Sequence, residues 1–341
     1  MKVTRYGTIP IVLMAVGLLW TKPAAAESYR NDLNLANLYR HHLQGATTPE
    51  AIRNGQINAN RSFRSLMSQL GMALAPQYHA PAETTGFNGF AVVAKYAFTT
   101  IDDGSEYWEN GLNRAPDPFL HTLSMDIRKG IWMPLPSFEL GAGFTHLVSS
   151  HMFSLNAFAK FSLHEGFLHW PTPAIAIRFT GQRIVGTSQV DLTIVGLDVS
   201  ISKSFGVGGI FNFTPYLGYN ILWIWADSQV IDTTPGTDSL QCSADDPGCS
   251  FTTPIRPGQF CDATNGDCNN NYVFDDQDPI FRHRIFVGLR IIFYHVVLTI
   301  EGAWALKGSS KDDLALGLAG DPIKDRAKVQ QTYSFSIGWD Y

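Results

Sequence analysis

The sequence has no long hydrophobic segment. Its one sustained apolar run, residues 11–20, is about half the length of the roughly 20 residues that a membrane-spanning helix needs. This shortage argues against a helical membrane protein.

Charge is also scarce, and there is no basic excess. Charged residues make up 16% of the chain, against roughly 25% in soluble domains. The 25 lysines and arginines are outnumbered by 30 aspartates and glutamates, which gives a formal net charge of −5. Nucleic-acid-binding domains carry a basic face, so we expect no nucleic-acid partner.

Recognisable catalytic motifs are missing as well. The chain contains no Gly-x-Ser-x-Gly elbow, P-loop or dinucleotide fingerprint. His146, Ser149, Ser150 and His151 lie close together, as the Ser–His groups of membrane hydrolases do, but no carboxylate is near them in sequence. We therefore predict no enzymatic activity, no catalytic residues and no cofactor.

Cysteine is confined to one polar stretch. Cys242 and Cys249 form one pair and Cys261 and Cys268 another, each with six residues between its members. In an exported protein this spacing predicts disulfides, most simply two local ones, although four cysteines permit three connectivities. The same stretch is rich in aspartate. A calcium site is one interpretation of it, but we predict a solvated acidic loop without bound metal.

The N-terminus has the order of a secretory signal. Lys2 and Arg5 precede the apolar run, and three alanines ending at Ala26 follow it. This order predicts a signal peptide over residues 1–26, cleaved after Ala26.

From residue 86 onward, apolar and polar residues alternate with period two between turn residues, which predicts strands. The ten predicted strands cover residues 87–100, 119–132, 137–147, 152–163, 174–183, 189–203, 211–226, 282–293, 294–306 and 332–341. In the sixth strand the apolar parity changes midway. We therefore predict a β-bulge near Val195 and Gly196, because one extra residue exchanges the two faces.

The last strand and the connections carry the most information. Tyr333, Phe335, Ile337, Trp339 and Tyr341 share one face of the final strand, and small or polar residues share the other. The three long connections all fall on the side opposite the two termini of the strand region. They cover residues 101–118, 227–281 and 307–327.

These features resemble the Gram-negative outer-membrane β-barrel proteins of the porin and transporter type, over residues 86–341. The resemblance implies an all-β fold: a transmembrane, antiparallel, up-and-down barrel of about ten strands, within a range of roughly 10–12. It also implies location in the outer membrane. The expected partners are outer-membrane lipid, the barrel-assembly machinery during biogenesis and an unknown small solute.

The segment between the signal and the barrel, residues 27–85, is different in character. Apolar residues recur at helical spacing, notably Phe63, Leu66, Leu70 and Leu74, and Pro76 ends the stripe. We predict a helical segment that either plugs the lumen or caps the periplasmic mouth.

The inward parity of the predicted strands also defines the lumen, which we expect to be rich in charge. The predicted lumen-lining residues are Lys95, Asp126, Arg128, Glu139, Lys160, Arg178, Arg282, Arg284, Arg290 and Glu301. Asp191 is predicted to join them as a partner of the basic residues. An anion-selective pore and an internal network of paired charges both fit this set.

The predicted function is the passive or gated passage of small solutes across the outer membrane. The alternative is a structural or interaction barrel with a closed lumen that presents the disulfide-braced loop 227–281 outside the cell. A minor alternative is an outer-membrane enzyme.

Overall fold

The structure is a computed structural model. It describes residues 29–132, 137–165, 172–208, 210–233, 271–275, 279–308, 311–312 and 323–341. The predicted signal peptide, the four cysteines and the suggested calcium site lie outside these residues, so those hypotheses stay predictions.

Ten long strands make up most of the chain, as the alternation predicts. They are β1 (Phe90–Thr100), β2 (Phe119–Ile131), β3 (Phe138–Leu147), β4 (Phe153–His164), β5 (Ala174–Val185), β6 (Val190–Ser202), β7 (Phe211–Ser228), β8 (Ile280–Phe293), β9 (Val296–Ala305) and β10 (Gln330–Asp340). Short strands also occur: Phe205–Val207 pairs with the start of β7, Ile231–Asp232 with Asn271–Tyr272, and Lys311–Asp312 with Ile323–Lys324.

The ten strands close into a barrel. Each strand is antiparallel to the next one in sequence. The last strand, β10, pairs with β1, so that Ala94 lies opposite Ile337. Because both neighbours of every long strand are occupied, none of the ten presents a free edge. The predicted up-and-down barrel is therefore confirmed.

The outer wall is apolar and exposed. In β10, Phe335 and Ile337 are 51% and 58% exposed, whereas Ser336 between them is 8% exposed. The other strands repeat this alternation. A continuous band of exposed aliphatic and aromatic side chains is stable only in contact with lipid.

The two ends of the barrel differ in their connections. Short connections join β2 to β3, β4 to β5, β6 to β7, and β8 to β9 at one end. At this short-turn end β1 begins and β10 ends, and the Phe90 backbone N–H donates to the Tyr341 carbonyl at 2.7 Å. The connections at the opposite, long-loop end include the longest ones. In outer-membrane barrels short turns face the periplasm and long loops face the exterior.

Three helices accompany the barrel: α1 (Leu35–Leu43), α2 (Pro49–Leu74) and α3 (Glu106–Gly111). The Thr48 side chain accepts from the Ala51 N–H and Pro49 takes the first position of α2, a favourable helix start. Among the described residues, no helix is both long and apolar enough to cross a membrane.

The N-terminal segment passes through the barrel. Every residue from 62 to 82 is buried. The α2 residues Phe63, Leu66 and Leu70 belong to one apolar cluster with Leu192 and Ile224 of the barrel wall. The helix therefore lies in the long-loop half of the lumen, and the non-helical chain after it occupies the short-turn half.

The predicted bulge in β6 is wrong. Pairing with β5 and β7 runs without a register shift, and even-numbered residues face inward along the whole strand. Val190, Leu192 and Ile194 face inward because they pack against α2, not against lipid. The same error misplaced Asp191, which faces outward and pairs with Arg183 at 2.8 Å.

Candidate functional site

The lumen is the candidate site, and the structure places all ten predicted lumen residues inside it. None of them is more than 7% exposed. The residues concerned are Lys95, Asp126, Arg128, Glu139, Lys160, Arg178, Arg282, Arg284, Arg290 and Glu301. Charges buried in this way need partners, and the partners determine what the lumen can do.

Three basic residues pair with acids on a neighbouring strand. Lys160 Nζ lies 3.0 Å from Glu139 Oε1, and the two residues are direct cross-strand neighbours. Lys95 of β1 pairs with Asp126 of β2. Arg178 Nε of β5 lies 2.8 Å from Oδ2 of Asp198 of β6, a residue that is not among those predicted from the sequence.

The arginines of β8 have other partners. Arg282 Nη1 donates to Ser68 Oγ of α2 at 2.8 Å, and Ser68 donates to Asp325 Oδ2 at 2.5 Å. Arg290 lies near two carboxylates, 3.8 Å from Glu83 and 3.9 Å from Asp340. This basic strand is therefore neutralised partly by groups outside the barrel wall.

The chain that fills the short-turn half is here called the lumen segment (residues 74–85). After Leu74, which is the last residue of α2, it has no helix or strand of its own. Its main-chain groups therefore need partners elsewhere, since buried backbone N–H and C=O groups are costly when unpaired.

Basic and amide side chains of the wall bind the carbonyls of the lumen segment. Lys95 Nζ donates to the Gln77 carbonyl at 2.9 Å, and Arg284 Nη2 to the Pro76 carbonyl at 3.0 Å. Lys160 Nζ donates to the Glu83 carbonyl at 2.8 Å. Gln182 Nε2 donates to the Leu74 carbonyl at 2.8 Å.

Oxygen-bearing side chains of the wall bind its N–H groups. The Glu301 carboxylate accepts from the Tyr78 N–H at 3.1 Å and the His79 N–H at 2.8 Å. Ser202 Oγ accepts from the Ala82 N–H at 3.0 Å, and Glu139 Oε2 from the Thr85 N–H at 2.8 Å. The wall thus supplies donors for carbonyls and acceptors for amides.

Two side chains anchor the lumen segment further. The Tyr78 ring stacks on the Phe286 ring, with centroids 4.5 Å apart. The Arg178 guanidinium lies 3.8 Å from the centroid of the Tyr78 ring. The Tyr78 hydroxyl lies 2.8 Å from Ser200 Oγ. The next residue, His79, has a positive φ of 44°, a conformation that is uncommon for non-glycine residues.

A small cavity lies beside the start of this segment. A cavity of about 10 Å³ borders Pro76, Arg178, Asp198 and Arg284, which is room for roughly one water molecule. The segment therefore occupies the path that a solute would take.

Sequence reasoning missed several contributors. Asp198 was not named, although the outward parity of Leu197, Val199 and Ile201 already turns it towards the lumen, and it lies opposite Arg178. Glu83 and Tyr78 lie in the N-terminal segment, and Asp325 lies in a connection, where strand alternation carries no signal. Tyr216 of β7 was also missed, and its hydroxyl donates to Glu301 at 2.7 Å.

The cluster at the β3–β4 connection gains a carboxylate from elsewhere in the chain. Asp32 Oδ1 accepts from Ser150 Oγ at 2.9 Å and from the His151 N–H at 2.7 Å, and Asp32 Oδ2 lies 2.7 Å from His151 Nδ1. Burial raises the pKa of Asp32, but these hydrogen bonds outweigh it and hold that pKa below its usual value.

This arrangement has the form of a contact that holds two parts of the chain together. The serine hydroxyl is directed at the carboxylate and not at the imidazole that would have to act as its base. His146 faces outward on β3 and lines a groove that also includes Tyr29 and Phe144. The geometry joins the N-terminal segment to the barrel rim.

The exposed apolar wall and the charged, filled interior now decide the class. The chain is an outer-membrane β-barrel. Soluble barrels reverse this pattern, with polar residues outside, and only lipid makes the observed one stable.

A comparison with solved structures found distant likenesses. The barrel is similar to Neisserial surface protein A, with 10% identity over 74% of this chain and 95% of that one and a TM-score of 0.28. The transport unit of the autotransporter AIDA-I from Escherichia coli shares 8% identity over 82% and 98%, with a TM-score of 0.34. The outer-membrane protease OmpT from Escherichia coli shares 10% identity over 74% and 96%, with a TM-score of 0.30.

These three proteins have different roles, so the likeness extends to the fold alone. No family model matches the chain, and no curated protein matches it either.

Proposed function

We propose that this protein is a closed outer-membrane barrel whose long-loop end is an interaction surface outside the cell. The observation that carries the proposal is the lumen segment, which is buried and bound through its main chain by the wall. A barrel with its path filled in this way is suited to presenting a surface and not to steady diffusion.

Specific contacts hold the parts of the chain at the long-loop end together. The N-terminal helix α1 packs there against α2 and α3, and the Leu35 N–H donates to Gln189 Oε1 at 2.8 Å. Two basic side chains at the same end, Lys328 and Arg326, bind Asp102 and Glu106. Several described parts of the chain are thus held together at this end.

Gated passage of small solutes is the second candidate, and one observation favours it. The lumen segment is held mainly by polar contacts and has no regular structure of its own. A segment of this kind can leave the lumen without the barrel strands separating.

Conductance in a planar bilayer tests the proposal. We expect the purified wild-type protein to show no steady channel current. The Glu301→Gln variant should open at least tenfold more often, because it loses a carboxylate that accepts three hydrogen bonds, each worth about 1.5–3 kcal/mol when charged.

Gln77→Ala is the matched control. The Gln77 side chain donates only to the nearby Ala75 carbonyl, so its removal should leave the current unchanged. A steady wild-type current of porin size would contradict the closed-barrel proposal and favour passive passage.

A further inference from the structure

The outer face of the β3–β4 hairpin carries an apolar groove at its long-loop end, here called the hairpin groove. Phe144, Phe153 and Leu155 line its apolar part, and Phe144 lies directly opposite Leu155 in the strand pairing. The groove has a volume of about 730 Å³, which is within the usual range for a site that holds a small molecule. Because these three side chains face outward, the groove is continuous with the lipid-facing wall.

The wall beneath the hairpin groove leaves a path for a hydrocarbon chain. Next along the two strands, Ala142 lies opposite Ala157, and both are exposed. Ala157 in turn lies opposite Gly181 of β5, where an added Cβ would meet no atom within 4 Å. A chain that leaves the groove towards the short-turn end therefore meets only short side chains.

Polar side chains line the rim edge of the same groove. His146 lies opposite Phe153 and two positions beyond Phe144 on β3, which displaces it by roughly 7 Å along the strand. Tyr29 and His151 also line the groove, with ring centroids 4.5 Å apart. The groove thus changes from apolar to polar towards the long-loop rim.

A second groove, here called the rim groove, adjoins the first at His151, which lines both. It has a volume of about 760 Å³ and includes the β5–β6 turn. Its hydroxyl and amide side chains are those of Asn34, Asn113, Thr187, Ser188 and Gln189. Such groups donate and accept hydrogen bonds without carrying charge.

The charge of the two grooves distinguishes between lipid headgroups. No lysine or arginine is among the described residues that line either groove, whereas the carboxylates of Asp32 and Asp232 line the rim groove. Phosphate groups are bound typically by arginine or lysine, and two carboxylates would repel them. The hydroxyls of an uncharged sugar can donate to carboxylates and exchange hydrogen bonds with amides and hydroxyls.

We propose that the two grooves together bind one glycolipid, with a hydrocarbon chain in the hairpin groove and an uncharged sugar in the rim groove. The lipid enters sideways from the membrane around the apolar band, to which the hairpin groove is open. This site gives the interaction surface of the long-loop end a partner of defined chemistry, and in that respect it rests on the proposed function.

Native mass spectrometry of the full-length protein tests the site. The protein is purified in lauryldimethylamine oxide, because a detergent with a sugar headgroup would compete. The probes are monogalactosyldiacylglycerol and phosphatidylglycerol with the same acyl chains. We expect one molecule of the galactolipid to be retained, with a Kd at least about tenfold lower than that of the phospholipid. Equal retention of the two lipids would overturn the proposal.

Two substitutions block the two grooves separately. Ala157→Trp places a bulky side chain on the path beneath the hairpin groove, and Ser188→Trp places one in the rim groove. Both positions are exposed, so the barrel should still fold. Each variant should bind the galactolipid at least about tenfold more weakly, by steric exclusion.

Each blocking variant has a matched control. Ala94→Trp changes an exposed, outward position of β1 that lines neither groove, and Gly104→Trp changes an exposed position after β1 where an added Cβ meets no atom within 4 Å. Both controls should bind the galactolipid like wild type. A blocking variant that bound as tightly as its control would show that the lipid does not occupy that groove, and the proposal would be wrong.

Failure of this site can be distinguished from failure of the closed-barrel proposal. Equal retention of the two lipids would leave the conductance of the wild type unaffected. A steady wild-type current would contradict the closed barrel without changing which lipid is retained, because both grooves lie outside the lumen segment.

Discussion

Individual residues hold the N-terminal segment at both ends of its path. At the long-loop rim Asp32 joins three groups of the β3–β4 connection, and inside the lumen Glu301 joins two amides and a tyrosine. Each is a carboxylate that satisfies donors from different parts of the chain. Removing either one leaves several donors without an acceptor.

The Asp32 contact should depend on pH in a defined direction. Because its folded-state pKa is lowered, its stabilising contribution is fully present above the unfolded value near ~3.9 and is lost as pH falls through the lower, folded pKa. At neutral pH Asp32→Asn should loosen the rim, so that trypsin cuts after Arg30 several-fold faster than in wild type. Asp103→Asn, at an exposed position, is the control and should not change the rate.

Gly288 leaves room for the ring of Tyr216, which lies directly over it. A Cβ at this inward-facing position of β8 would overlap the Tyr216 ring, whose hydroxyl binds Glu301. Gly288→Ala should therefore destabilise the barrel by about 1–3 kcal/mol, as overpacking usually does. Thermal unfolding followed by circular dichroism checks this. Gly181→Ala, where the added Cβ meets no atom within 4 Å, should unfold like wild type.

At the scale of the elements, the sequence predicted strands well because lipid imposes a strict alternation on them. All ten predicted strands exist, and the inward charges other than Asp191 lie where parity placed them. The prediction failed where the lumen itself is apolar. Along β6 the inward residues change from Leu192 and Ile194, which face α2, to Asp198 and Ser200, which face the lumen segment.

The change from apolar to polar inward residues along β6 has a physical cause that lies outside this strand. The α2 helix satisfies its own backbone and presents apolar side chains, so the wall beside it is apolar. The lumen segment leaves its backbone groups open, so the wall beside it is polar. Predicting β6 correctly therefore needed the path of residues 49–85 through the barrel, which no local pattern contains.

Large-to-small substitutions distinguish a regular β6 from a β6 with a bulge near Val195. Leu192 is fully buried against the apolar cluster that includes α2. Leu192→Ala should lower the free energy of unfolding by about 2–5 kcal/mol. Val195→Ala, on the outward face, should have a clearly smaller effect. Equal effects of the two substitutions would mean that β6 is not a regular strand through Val195.

The outer face of β8 offers the corresponding test for lipid. Val287 is 47% exposed near the middle of this strand. Val287→Arg should impair insertion, at a cost of about 2–4 kcal/mol if the site lies at the bilayer midplane. Folding into vesicles, followed by denaturant titration, measures the cost. Val287→Leu is the control, and a cost as small as that of the control would show that this face does not contact lipid.

At the scale of the whole molecule, two kinds of stability are combined. The barrel wall depends on ten closed strand pairings and on lipid around the apolar band. The N-terminal segment depends on packing of α2 in the long-loop half and on hydrogen bonds to the wall in the short-turn half. Loss of the second set of contacts removes no strand pairing.

The two kinds of stability should therefore separate in one variant. Glu301→Gln weakens the hold on the lumen segment without touching a backbone pair of β9 with β8 or β10. We expect unboiled samples of this variant to keep the compact gel band of the wild type. On heating, the variant should lose this band within about 5 °C of the temperature at which the wild type loses it. A variant without residues 330–341 should lose the band completely, because β1 and β9 would both become free edges. If Glu301→Gln lost the band as well, the lumen contacts would be part of what closes the barrel, and the lumen segment could not move independently of the wall.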